Sequence, residues 1–303
     1  MSEDKLSKNR FHGLWALTNR DLKKWYQNPI VFVIGIIQPI LWLALLGKAM
    51  NISSILSPSS FQIPAQVAAA FTPQQLQSLS TYFGGLQNQI MLSNFNTSSY
   101  FSFMAMGMVA FVTVFTTAFV GVSVVFDRRL GFMNKVLSTP VSRSVIITSK
   151  VISASIRSVF QAGIVTVIAY LIPDGLKLGV NFSWFSVLGV FAIVFLIGFG
   201  LASMFTAITL RTTRMETPQA IFNLVTLPLM FASSAYFPIA NMPTWLQAIA
   251  KANPISYTID AVRTLMIFGN GYSSLPLDFA FVGIFAVVVT CICVALSWRF
   301  LNK

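Results

Sequence analysis

Charge is what this sequence has least of. Only 9% of its 303 residues are Asp, Glu, Lys or Arg, against about a quarter in an ordinary soluble domain. Acids are the scarcer sign, 8 against 20 Lys and Arg. There is 1 histidine and there are 2 cysteines. So few cysteines exclude a disulfide scaffold. The single histidine, His12, leaves no Ser-His-acid set and no metal-ligand cluster. Neither G-x-x-x-x-G-K-[ST] nor H-E-x-x-H occurs, so no phosphate-cradling loop and no zinc-protease helix is encoded. No carboxylate stands in the middle of a long apolar run, where an ion-coupled carrier needs one. The chain therefore encodes neither a catalytic constellation nor an energy source of its own.

What is present is apolar. Hydrophobic residues make up 55% of the chain, with 28 Phe and a mean hydropathy of +0.74. That excludes a disordered or collagen-like chain and points to a polytopic membrane protein. Six runs approach the roughly 20 residues that a helix needs to cross the hydrocarbon. They are Ile30 to Gly47, Phe101 to Phe126, Val151 to Ile172, Phe182 to Leu210, Ala220 to Phe237 and Leu277 to Trp298. Arg157 is the basic residue well inside a run, near enough to an end to snorkel. Cys291 and Cys293 fall on different helix faces and cannot bridge each other.

The net charge of +12 follows from the flanks of these runs. Lys and Arg crowd the N-terminal segment, the connection between the second and third runs, the connection between the fourth and fifth, and the tail. Few lie on the other side. This asymmetry and the even count predict a multi-pass protein of the inner or plasma membrane with both termini cytoplasmic. No basic stripe with interleaved aromatics stands free of the apolar runs, so nucleic acid is not an expected partner. The first run is too long for a signal-peptide core and lacks an A-x-A-like site.

Between the runs, three segments carry information. Residues 1–28 hold FHGLWALTNRDLKKWY, in which Trp15, Leu22 and Trp25 recur near helical spacing around Arg20, Asp21 and Lys24. This predicts an amphipathic helix in the membrane interface, ended by Asn28-Pro29, with a plain basic anchor as the alternative. Residues of about 50–99 lack charge altogether, and Thr72-Pro73-Gln74-Gln75 is a capping box. A small external helical insertion is expected there. Asn51, Asn96 and Asn181 begin glycosylation-type tripeptides, a pattern frequent by chance.

The connection FDRRLGFMNKVLSTPVSRSVIITSK combines a charged start, a short amphipathic stretch and Thr139-Pro140 as cap and first residue of the next helix. A helix from Pro140 to Ile172 would run about 50 Å, longer than the bilayer is thick. Its end would project into water and hold a short helix out as a docking surface. The alternative is a solvated basic loop. The block of about 238–268, YFPIANMPTWLQAIAKANPISYTIDAVRTLMIF with its flanks, is broken by Pro238, Pro243 and Pro254. Each half is too short to cross, which predicts a re-entrant external pair, with Asp260 and Arg263 able to pair at i, i+3.

Together these features resemble a known family. The D-R-R-x-G-F…L-x-T-P-V-S-R connection after the second run and the P-x-x-x-M-P-x-W-L-Q…N-P-I-S-Y…D-A-V-R block before the sixth look like the permease subunit of a type-2 ABC exporter, closest to the daunorubicin-efflux branch. The family often has Glu before the glycine of the first motif, and Leu130 holds that place. The resemblance implies an all-α integral membrane domain over residues 29–303, with six transmembrane helices, a coupling helix at about 126–139 and the re-entrant segment. It implies a non-enzymatic subunit that pairs with a second permease, as a homodimer, above two copies of an ABC ATPase. ATP and Mg would be bound by that partner, and no cofactor or metal by this chain.

On this resemblance Asp127, Arg128, Arg129, Gly131, Phe132, Met133, Leu137, Pro140 and Arg143 form the ATPase-coupling surface, beside Trp15, Asp21 and Trp25 of the interfacial helix. The family's pathway runs along spans one, two and five, which nominates Gln38, Trp42, Met104, Met108, Phe222, Asn223 and Met230. Gln161 is assigned to interhelical bonding. Pro243, Trp245, Asn253, Pro254, Asp260 and Arg263 mark the re-entrant segment. Met and aromatic walls suit a lipophilic drug-like or lipid cargo. Other readings are export of a polysaccharide or lipid-linked glycan, a stand-alone carrier, and a membrane-embedded enzyme.

Overall fold

The computed structural model describes residues 3–45, 71–139, 141–173, 175–180, 182–212, 214, 216–268 and 272–300. Eleven helices follow one another among them. They are α1 (Glu3–Tyr26), α2 (Pro29–Trp42), α3 (Pro73–Phe95), α4 (Tyr100–Arg129), α5 (Phe132–Leu137), α6 (Arg143–Leu171), α7 (Trp184–Thr209), α8 (Glu216–Phe231), α9 (Thr244–Ala252), α10 (Pro254–Met266) and α11 (Leu275–Phe300). A 3-10 turn at Ile239–Asn241 precedes α9.

Among the described residues, four stretches are long and apolar enough to cross a membrane, those containing α4, α6, α7 and α11. The other two expected spans are shorter. α2 has 14 residues and passes into a π-turn at 43–45, and the remainder of that run lies outside the described residues. α8 has 16 residues with Pro228 inside, about 24 Å at helical rise. The fifth run was expected to be helical to Phe237, but the helix stops at Phe231.

Local chemistry sets most of the boundaries. α1 breaks at Asn28-Pro29, where proline opens the next helix. α3 carries the expected capping box, with Thr72 and the side chain of Gln75 bonded reciprocally. It ends on Asn96, whose φ of 51° places it in the left-handed region. Asn51 and Asn181 lie outside the described residues. One boundary differs from expectation. The third long helix starts at Arg143 with Ser142 as its cap, so Thr139-Pro140 is not its start. Pro140 itself lies outside the described residues. The helix still has 29 residues, about 43 Å, longer than the hydrocarbon.

α4 is the hub. It packs against α6, α7, α8 and α10, and most of its residues are buried. The interior is one large cluster from α4, α6, α7 and α10, with a second at the α5 end. That second cluster joins Val120, Met133, Val136, Ile147, Val151, Leu210 and Cys293. Cys291 is exposed and Cys293 buried, both as free thiols.

Small residues let the long helices approach closely. Gly198 of α7 faces Ser155 and Ser158 of α6, and a Cβ there would meet the Ser158 hydroxyl at 2.7 Å. This is small-residue packing of the kind membrane helices use. Gly283 of α11 has open space beside it. Gly198→Leu is therefore expected to lower the melting temperature in detergent, with overpacking costing roughly 1–3 kcal/mol. Gly283→Leu should leave it nearly unchanged. A thermal melt of both variants checks the pair.

Candidate functional site: a charged clasp and a short helix at one end of the bundle

The end of the bundle that carries α5 is organised around Asp127, in the last turn of α4. The residue is only 5% exposed. Its carboxylate receives Lys150 Nζ of α6 at 2.5 Å, Arg20 Nη2 of α1 at 3.1 Å and the more exposed Lys24 of α1 at 3.5 Å. Asp21 takes part from α1, 3.0 Å from Arg20 and 3.6 Å from Lys150. Lys150 also donates to the Ser123 hydroxyl at 3.2 Å. Three helices thus share one ionic network. Burial of so many charges is tolerable only because each has opposite partners.

The network settles where α1 lies. It leans along the first half of α6, with the buried Thr18 hydroxyl donating to Ser149 O. Trp25 turns inward and packs on Phe32 of α2 and Phe160 of α6, at ring separations of 5.1 and 5.7 Å. Trp15 stays exposed, in keeping with an aromatic residue at an interface.

Arg20 continues from the network to α5, its guanidinium carbon 3.6 Å from the centre of the Phe132 ring. The link from α4 to α5 is made by Gly131, whose φ is +70°. A left-handed residue there is best filled by glycine. Met133 and Val136 then turn into the second apolar cluster. Arg129, Leu130 and Gly131 are left at the exposed tip, with Leu130 76% exposed. Arg128 is half-buried, as are Phe132 and Arg143, and the Leu137 side chain lies outside the described residues.

The coupling residues therefore fall into two groups. Asp127 and Met133 were expected on a docking face, but the structure turns both inward: Asp127 to its three cations, Met133 to the apolar cluster. Arg129, Leu130 and Gly131 face outward. The sequence reading missed Arg20, Lys24 and Lys150 as the partners of Asp127. The available signal was the rarity of acids in so basic a region.

The nominated pathway residues also divide. Met104, Met108 and Met230 lie within the protomer's own core, each at most 2% exposed. Gln38 and Trp42 line an open hollow along α2 of about 390 Å³. Asn223 is exposed. Phe222 belongs to a row of rings joining α2, α4 and α8: Trp42 to Phe111 at 5.9 Å, Phe111 to Phe115 at 4.5 Å, Phe115 to Phe222 at 5.3 Å. Beside the row is a cavity of about 230 Å³ where Gln38, Arg157 and Gln161 meet Phe111, Phe115 and Phe119. Gln161 accepts from the Thr116 hydroxyl and sits over Gly35, so it does bond helices together. Arg157 bonds its own helix at Ser153 O.

At the opposite end, the block of about 238–268 has a different job from the one its spacing suggested. Asn253 donates to Leu229 O and Ala232 O at 2.7 and 2.9 Å, closing the open carbonyls of α8, while its own oxygen caps α10 at Ile255 N. Arg263 is 2% exposed. It donates to Phe103 O, Ser234 O and Ala235 O at 2.8–3.2 Å and stacks on the Phe103 ring. The expected Asp260–Arg263 pair does not form, because the guanidinium is held by these carbonyls. Pro243 precedes α9 and Pro254 opens α10, and Trp245 is exposed.

Asp127→Asn is expected to destabilise the protein by on the order of 3 kcal/mol, since it leaves the buried Lys150 with only the longer contact to Asp21 as a counter-charge. Adding Lys150→Met should restore part of the loss. Arg129→Ala, at the exposed tip, should stay within about 0.5 kcal/mol of the parent. Unfolding of the purified variants in detergent reads all three.

Comparison with known proteins gives the chain its relatives. The family model for the ABC-2 type transporter matches residues 12–267. A protein named as a transport permease in Porphyra purpurea is 32% identical over 252 residues, covering 82% of this chain and 72% of the relative. The daunorubicin resistance ABC transporter permease of Streptomyces coeruleorubidus is 25% identical over 56% of this chain and 59% of its own length. A protein named as a multidrug ABC transporter permease in Escherichia coli K12 is 28% identical over 54% and 44%. With the match running from α1 through α10, the chain belongs to the ABC-2 type transporter family, as a multi-pass membrane permease.

Proposed function

We propose that this permease is the membrane half of an ATP-driven exporter that moves a lipophilic, drug-like or lipid molecule out of the cytoplasm or inner leaflet. Membership of the family implies an ABC ATPase partner. Two copies of the permease and two of the ATPase make the working unit in this reading. ATP and Mg are bound by the ATPase. Both chain termini and α5 face the cytoplasm.

The observation that carries this reading is the tip at Arg129, Leu130 and Gly131. It is exposed, yet its base is fixed in three ways: by the ionic network on Asp127, by the Arg20–Phe132 stack and by the burial of Met133 and Val136. A small surface on a firm base transmits force, whereas a loop on a loose one absorbs it. A thrust on α5 reaches α4 through Gly131 and α1 and α6 through the network. α4 also carries Phe111 and Phe115, so displacement reaches the ring row where the cargo is taken to pass. Exposed Leu130 gives an apolar contact and Arg129 a charged one. Transport of a lipophile is supported by the aromatic walls and by the drug-resistance permeases among the relatives.

The test is co-reconstitution with the cognate ATPase in liposomes, with Hoechst 33342 as the transported probe. Arg129→Glu combined with Leu130→Asp is expected to lower ATP-dependent export at least about tenfold. ATPase activity should lose its stimulation by the permease while the variant keeps its parent melting temperature. Parent-level export together with parent-level stimulation would overturn the docking role of this tip.

A further inference from the structure

The end of the bundle opposite α5 holds a cavity of about 480 Å³ between α3, the turn before α9, α10 and α11. Its volume falls within the range of small-molecule sites. Two carboxylates line it, Asp260 of α10 and Asp278 of α11. Asp278 is 2% exposed, and its Oδ2 has no hydrogen-bond partner. The hydroxyls of Ser234 and Ser256 line the same cavity, are also buried and are also unpartnered. Three oxygens of the residues around this one space are therefore buried without a partner. A buried polar atom without a partner is costly, and a buried carboxylate more so.

Two cations share the lining, Arg263 and Lys251. Neither neutralises the carboxylates by contact. Arg263 is tied to three backbone carbonyls. No oppositely charged side chain among the described residues lies within 4 Å of any of these four groups. A donor supplied from outside would complete the site.

We propose that this cavity binds the ammonium group of an amphiphilic amine, with the charge at Asp278 and Asp260 and the apolar body against Phe95, Tyr257 and Phe268. An ammonium offers three donors, and the residues around the cavity carry three oxygens that lack one. The aromatic faces suit a cation and its hydrocarbon body. A metal ion fits less well. Among the described residues no three His, Cys, Asp or Glu side chains gather to hold one. The amine can come from an amine-headed phospholipid of the facing leaflet or from a soluble lipophilic amine. The site lies away from the α5 tip and from the ring row, so it stands or falls independently of the docking and pathway readings.

The test uses the full-length permease in nanodiscs of phosphatidylcholine, with monodansylcadaverine as the fluorescent probe and its N-acetylated form as the uncharged comparator. The amine is expected to bind at least about tenfold more tightly than the acetylated form. Asp278→Asn and, separately, Asp260→Asn should each weaken amine binding at least about fivefold and leave the acetylated probe unaffected. Melting temperatures identify a variant that has failed to fold, and either variant alone carries the test. Competition by phosphatidylethanolamine added to the nanodiscs would assign the site to lipid; absence of competition would assign it to a soluble amine. Equal binding of the two probes, or unchanged amine binding in a folded Asn variant, would overturn the proposal.

Discussion

The rest of the structure depends on one carboxylate. Asp127 stands where α4 ends, and the cations around it come from α1 and α6. A buried carboxylate in a membrane protein is expensive unless paired. Here the pairing orients three helices that have few other polar contacts. It places α1 along α6, and through Arg20 it sets the ring of Phe132 and so the attitude of α5. The apolar packing of Met133 and Val136 would otherwise allow a six-residue helix to sit at several angles, since hydrophobic contact has little directional preference. The ionic network supplies the direction.

The other end of the bundle solves a different problem with polar groups of a different kind. α8 is short, contains a proline and ends among helices, which leaves backbone carbonyls without helical partners. Asn253 and Arg263 supply those partners across 21 to 29 residues of sequence. The early end of α8 at Phe231 is thereby compatible with a buried, ordered turn. Gly107 is part of this arrangement. A Cβ there would meet Ala235 O at 2.7 Å and Arg263 Nη2 at 3.3 Å, so glycine permits the turn to lie directly on α4.

Much of this was legible in the residues. The apolar runs, the break at Asn28-Pro29, the capping box at Thr72 and the helical character of α5 all follow from local chemistry, and local chemistry is what a sequence displays. The positions that read wrongly are those decided by distant partners. Asp127 was taken as a contact for another chain because its motif is charged, while the cations that hold it inward lie 23 to 107 positions away. Arg263 was matched to Asp260 by helical spacing, whereas carbonyls 28 to 160 positions away claim it. The start of α6 was assigned to Thr139-Pro140 on capping grounds, and Ser142 takes that role. Periodicity gives the face a side chain occupies; it does not give the identity of what lies opposite.

The row of rings from Trp42 through Phe111 and Phe115 to Phe222 contrasts with both polar ends. Tilted, stacked and edge-on ring pairs at 4.5–5.9 Å differ little in energy from neighbouring offsets. Such a seam resists separation but not sliding. α2 and α8 can therefore shear past α4 by small steps with little polar contact to break, while α1 and α6 remain locked to it by the network on Asp127. The molecule is in this sense hinged by its chemistry: stiff where charges meet, lubricated where rings do.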